Sequence, residues 1–95
     1  MKHKALTEAD VKKFLKAHPA WAVETGALVR TYEAPHFLRA IKFVEQLAHV
    51  AEAADHHPDI LVHGWNRVRL TLSTHSAGGI TAADLTLAAT IDELV

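Results

Sequence analysis

Residues 60–74 read Ile-Leu-Val-His-Gly-Trp-Asn-Arg-Val-Arg-Leu-Thr-Leu-Ser-Thr. From Trp65 to Thr74 the side chains alternate with a period of two: Val68, Leu70 and Leu72 face one way, Arg67, Arg69, Thr71 and Ser73 the other. A strand with one apolar and one polar face belongs in a sheet that is covered on one side only. Ile60 and Val62 suggest a shorter strand before it, and His63-Gly64 the turn between the two. Ala77-Gly78-Gly79 ends the longer strand.

Upstream, Phe37, Ala40, Ile41, Val44, Leu47, Ala48 and Ala51 recur at three- and four-residue steps. They predict an amphipathic helix over roughly 36–54, with Pro35 at its start and a break across Asp55–Pro58. Before it, Trp21 and Val23 alternate with Ala22 and Glu24, and Thr25-Gly26 signals a turn. Leu28, Arg30 and Tyr32 then alternate with Val29 and Thr31, so this segment reads as a β-hairpin. Thr7 and Asp10 form a capping-box pair, flanked by Leu6 and Val11, at the head of a helix over 8–17 that His18-Pro19 terminates. Ile80, Thr81, Asp84 and Leu85 repeat that pattern, and a last helix with Leu87, Ala88, Ile91 and Leu94 on its apolar side runs to the C-terminus. The predicted order is α-β-β-α-β-β-α: one α+β domain over 1–95, with a four-stranded antiparallel sheet and three helices packed on one face.

Composition narrows the function classes. The 95 residues carry a formal net charge of -1, with 49% hydrophobic and 22% charged residues, which is ordinary globular usage. That balance favours neither nucleic acid nor an anionic membrane as a direct partner. The absence of cysteine removes disulfides and thiolate metal sites. No apolar signal core opens the chain and no run of about 18 apolar residues occurs, so the expectation is a cytoplasmic protein outside the membrane. Eight histidines are present: His3, His18, His36, His49, His56, His57, His63 and His75. Five of them carry no independent signal. His56, His57 and His75 do, because acidic residues and element ends accompany them.

Glu52 and His56 are four apart and share a helix face if the helix persists that far. His56 and His57 are adjacent and cannot point the same way in regular structure. His75 ends a strand before a glycine-containing loop, and Asp84 sits in the first turn of the last helix. Histidines near carboxylates suit general acid–base catalysis, since both protonation states of an ordinary imidazole are accessible near neutrality. Elimination of water, which removes one proton and delivers another, is such a reaction. No activated serine, cysteine or phosphate-binding glycine loop competes with that reading. Each feature also has a plain structural explanation. His56-His57-Pro58 is a polar helix exit, Thr81-x-x-Asp84 a capping box, and Trp65 a packing residue at a strand start. Gly78 and Gly79 serve backbone conformation, and Arg67 and Arg69 a solvated face or a subunit boundary. Three histidines and a carboxylate could ligate zinc, but contiguous histidines make an awkward chelate, so no metal site is assigned.

Taken together, Glu52-x3-His56-His57-Pro58-x6-Trp65-x9-His75-x8-Asp84 resembles the signature of the pterin-4a-carbinolamine dehydratase family. The stretches "DHHPDI", "NRVRLTLSTHSAGGIT" and "GALVRTYEAPHFLRAIKFVEQLAHVAE" extend the resemblance over nearly the whole chain. It implies the same α-β-β-α-β-β-α fold and a lyase that dehydrates 4a-hydroxytetrahydropterins to quinonoid dihydropterins in cofactor recycling, with no metal or organic cofactor. It implies His56, His57 and His75 as active-site histidines. Asp55 and Ser73, Thr74, His75 and Ser76 would line the pterin site. Glu52 and Asp84 would orient imidazoles or bind the pterin edge, with Pro58 and Trp65 in supporting places. Ser76 departs from the acidic residue many members carry there. The resemblance further implies a homodimer or homotetramer. Two other functions remain open at this stage: an interaction module of the transcription-factor dimerisation-cofactor type, and a histidine-ligated metal hydrolase.

Overall fold

A computed structural model describes residues 4–95; His3 lies outside the described residues. The elements are α1 (Glu8–Ala17), β1 (Ala22–Glu24), β2 (Ala27–Glu33), α2 (Phe37–Ala54), β3 (Asp59–His63), β4 (Arg67–Leu72), a 3-10 turn (His75–Ala77) and α3 (Ala82–Asp92). The sheet order is β1-β2-β4-β3, and every neighbouring pair is antiparallel. The two hairpins are therefore joined through their second strands, which places β2 and β4 in the centre.

The alternation in β4 does what its pattern requires. Val68, Leu70 and Leu72 have no exposed surface, and they share one core with Val11 of α1, Phe43 and Leu47 of α2, and Leu87, Ala88 and Ile91 of α3. All three helices thus contribute to the core against one face of the sheet. Burying each large aliphatic side chain there contributes roughly 1.5–3 kcal/mol relative to leaving it exposed. Register extends the face across the sheet: Leu28 is opposite Leu72, Arg30 opposite Leu70 and Tyr32 opposite Val68. Arg30 is a cation at a core-facing position. It is accommodated because its guanidinium reaches Asp92, which also accepts from Trp21 Nε1 at 2.8 Å and pairs with His18 Nδ1 at 2.7 Å. Burial alone would raise the Asp92 pKa. The hydrogen bonds from His18 and Trp21, with the charge and hydrogen bond of Arg30, outweigh that and hold it below the usual carboxylate range.

Several expectations shift in detail. Pro35 precedes α2, but its N-cap is His36, whose Nδ1 accepts the Arg39 N–H at 3.2 Å. The β3–β4 turn is centred on Gly64 and Trp65, with φ of 55° and 59°, so β4 begins at Arg67 rather than Trp65. Trp65 is 62% exposed and is not the packing residue its sequence position suggested. The last helix ends at Asp92, and Leu94 packs against the core from beyond it. Arg69 on the open sheet face bonds Glu24 at 3.3 Å.

Candidate active site

The site is built where α2 ends and where β4 ends. Asp55 takes the left-handed conformation, φ 51° and ψ 42°, one residue past α2. Its N–H donates to Glu52 O, and the N–H of His56 donates to Ala51 O, both at 3.1 Å. These two bonds reverse the chain and satisfy the last helical carbonyls. The reversal belongs to Asp55, whereas Pro58 stands three residues further on and leads into β3. Register then brings the two element ends together. Asp59, the first residue of β3, is opposite Thr71, the last but one of β4, so the segment before β3 and the segment after β4 leave the sheet at the same end.

Beyond β4, the segment folds back on itself. Thr74 N–H donates to Gly79 O at 2.9 Å, Ala77 N–H to Thr74 O at 3.0 Å and Gly78 N–H to His75 O at 3.1 Å. Gly78 closes the turn at φ 71°, where a side chain would be strained. His75 is the first residue of this turn, beyond the strand end its sequence position suggested. A cavity of about 400 Å³ opens between the two segments, within the usual range for small-molecule sites. Its lining is Asp55, His56 and His57 on one side and Ser73, Thr74, His75 and Ser76 on the other. A larger cavity of about 550 Å³ lies between α1, the β1–β2 turn and Gly78–Ile80, but no imidazole lines it. The smaller cavity is the one lined by imidazoles, those of His56, His57 and His75.

The carboxylates pair differently from the expectation. Glu52 does not meet His56, because the reversal at Asp55 swings that ring away from the helix face. Instead Glu52 Oε1 meets His57 Nε2 at 2.6 Å, at the surface, where the two side chains are 78% and 59% exposed. His56 Nε2 meets Asp84 Oδ1 at 2.5 Å, and Asp84 has no exposed surface. The adjacent imidazoles therefore point to different partners. Asp84 Oδ2 accepts from the Thr81 N–H at 2.9 Å, which is the capping-box bond, and from the Thr74 hydroxyl at 2.8 Å. A fully buried carboxylate is tolerable here because donors meet both its oxygens and it lies at the positive end of α3. Asp84 is thus both helix cap and imidazole partner. Trp65 is not brought to the site: it occupies the opposite end of the β3–β4 hairpin. Among the described residues, no three His, Asp or Glu side chains converge as a metal-ligand set.

One residue of this arrangement was not expected as a partner of Asp84: Thr74, through its hydroxyl, which in turn meets the hydroxyl of Thr81 at 2.8 Å. The available signal was the buried-strand period, since Thr74 continues the Val68, Leu70, Leu72 face and is 5% exposed.

Comparisons with known proteins show the family and the fold. The family model described as pterin 4 alpha carbinolamine dehydratase matches residues 4–94. A protein of Chloroflexus aurantiacus named "Putative pterin-4-alpha-carbinolamine dehydratase" is 49% identical over 90 residues, covering 95% of this chain and 96% of its own. A protein of the same name from Chloroflexus aggregans is 47% identical over 91 residues, with the same coverage. Among solved structures, one described as a transcriptional coactivator/pterin dehydratase from Brucella melitensis superposes with a TM-score of 0.90. It is 33% identical and covers 96% of this chain and 98% of its own.

Proposed function

The chain belongs to the pterin 4 alpha carbinolamine dehydratase family, and we propose that it is a hydro-lyase converting a 4a-hydroxytetrahydropterin to a quinonoid dihydropterin by histidine acid–base catalysis. The observation that carries this reading is the pairing of His56 with a buried carboxylate on one wall of a small polar cavity, with His75 on the other. The substrate bears a hydroxyl on C4a and a hydrogen on N5. A neutral imidazole takes the N5 proton, and the N–H electron pair becomes the new N5=C4a double bond. An imidazolium gives its proton to the hydroxyl as the C4a–O bond breaks, and water leaves. One proton is removed and one delivered, so two groups on different sides of the ring are needed. His56 and His75 are assigned as this pair. His57, held at the surface by Glu52, binds and orients the substrate. Asp84 compensates the charge of His56 whenever that ring is protonated. Asp55, Ser73 and Ser76 complete the walls, where backbone groups can meet the donor–acceptor edge of a pterin.

The physiological role under this reading is tetrahydropterin recycling in the cytoplasm. No helix among the described residues is long and apolar enough to cross a membrane. Self-association to a homodimer or homotetramer is proposed as well. Leu38, Phe37 and Ile41 at the start of α2 are 70%, 52% and 39% exposed, an apolar surface that a second copy would cover. The catalytic assignment is tested with His56→Ala and His75→Ala in a dehydration assay on a chemically generated 4a-hydroxytetrahydropterin. Each should lose about 10²-fold or more in rate. Full turnover by both variants would refute the assignment.

A further inference from the structure

Asp84 is held by a chain of buried groups that the acid–base reading does not use. Thr81 Oγ1 lies 2.8 Å from Thr74 Oγ1, and Thr74 Oγ1 lies 2.8 Å from Asp84 Oδ2. Thr81 is 1% exposed and Thr74 5%. Counting protons fixes the direction of every bond. A carboxylate only accepts, so Thr74 spends its one hydroxyl proton on Asp84. Thr74 can then only accept from Thr81, so Thr81 is the donor of that pair. The Thr81 N–H also donates to Oδ2, at 2.9 Å. Both of these donors meet the same oxygen, which leaves Oδ1 aimed at His56 Nε2. His56 must donate there as well, so its neutral form carries hydrogen on Nε2 and its lone pair on Nδ1. Thr74 lines the cavity, yet its hydroxyl proton is committed inward and is not offered to a ligand.

We infer that Thr81 is a positioning residue for His56. Its hydroxyl and amide act through Thr74 and Asp84, and together they lock the Asp84 rotamer that sets the orientation and tautomer of the imidazole. This rests on the dehydratase reading for its kinetic consequence, but not for its geometric one.

The test uses the whole protein with Thr81→Val, which keeps the shape and removes the hydroxyl, and Thr81→Ser, which restores it. Thr81→Val should lower kcat about tenfold while KM stays within about twofold, because proton transfer rather than substrate affinity is affected. Thr81→Ser should return kcat to near the wild-type value. Placed on Asp84→Asn, Thr81→Val should cost nothing further, since both act through one group. Independently of turnover, the ¹⁵N resonances of the His56 ring should report an Nε2-protonated neutral form in the wild type and shift in Thr81→Val. If Thr81→Val does not fold, Thr81→Ala takes its place in the same measurements. An unchanged kcat and unchanged ring resonances in a folded Thr81→Val protein would overturn the inference, as would a serine variant as impaired as the valine one. A wild-type protein that does not accelerate dehydration would refute the reading beneath it, and the ring resonances alone would then decide the positioning.

Discussion

Asp84→Asn separates the structural from the catalytic work of one buried side chain. The asparagine oxygen can replace Oδ2 and keep the Thr81 amide and the Thr74 hydroxyl, bonds of 2.9 Å and 2.8 Å. Its amide nitrogen then faces His56 Nε2 across the 2.5 Å contact, donor against donor. The ring must either move away or carry its neutral proton on Nδ1. A hydrogen bond to a charged group contributes about 1.5–3 kcal/mol, and the altered tautomer recovers part of it, so the net stability loss is about 1–2 kcal/mol. For a domain of this size that lowers Tm by about 5–15 °C. The kinetic loss should be larger. A carboxylate-to-amide change behind a catalytic imidazole supplies the wrong tautomer, and general acid–base contributions span about 10²–10⁴-fold. The assay is the initial dehydration rate after subtraction of the buffer reaction, with far-UV circular dichroism on the same sample. A folded Asp84→Asn protein with a rate within about threefold of wild type would refute the role given to the His56–Asp84 pair.

Three further outcomes follow from the fold. Asp92 has a lowered pKa in the folded state, so the stability it contributes is present above the ordinary carboxylate pKa of about 3.9 and is lost as pH falls through the folded value. Asp92→Asn should therefore melt below wild type at pH 7, and the gap in Tm should narrow under acid; a gap as wide at pH 3 as at pH 7 contradicts this. Thr25 and Gly26 join β1 to β2 with φ of 52° and 76°, and a β-branched residue is strained there. Thr25→Asn should raise Tm by about 3–6 °C, and an unchanged or lower Tm counts against the turn geometry. Leu38→Lys places a charge in the exposed apolar patch of α2, so size-exclusion mass should fall relative to wild type if a second copy covers that patch; an unaltered mass locates any interface elsewhere.

What could be read from the sequence divides along the range of the interactions. Both capping boxes were legible because Thr7 and Asp10, and Thr81 and Asp84, are three residues apart and act locally. The face of β4 was legible for the same reason, since a period needs only neighbours, but that of α2 only in part. Ala40, Leu47 and Ala51 are buried as the stripe required, whereas Phe37, Ile41 and Ala48 are exposed and Phe43, outside the expected stripe, is buried, so the helix is turned toward Phe43. The pairing of β2 with β4 was not, because nothing in either strand names its partner. The carboxylate partners show this most clearly. Helical spacing favoured Glu52 with His56, and one left-handed residue, Asp55, redirected His56 to Asp84, twenty-eight residues away. The group around Asp92 draws on His18, Trp21 and Arg30 from separate elements, and no window of sequence contains it. Its one visible sign was Arg30 in register with Leu28 and Tyr32 on an apolar face, which implies a buried anion. Trp65 misled because an aromatic beside a strand suggests packing, whereas here it occupies the second place of a tight turn.

The most direct measurement is the rate at which the purified wild-type protein consumes a chemically generated 4a-hydroxytetrahydropterin, in excess chelator, against the buffer reaction alone. The account predicts a marked acceleration that the chelator does not reduce. A rate equal to that of buffer, or an acceleration abolished by the chelator, would contradict it.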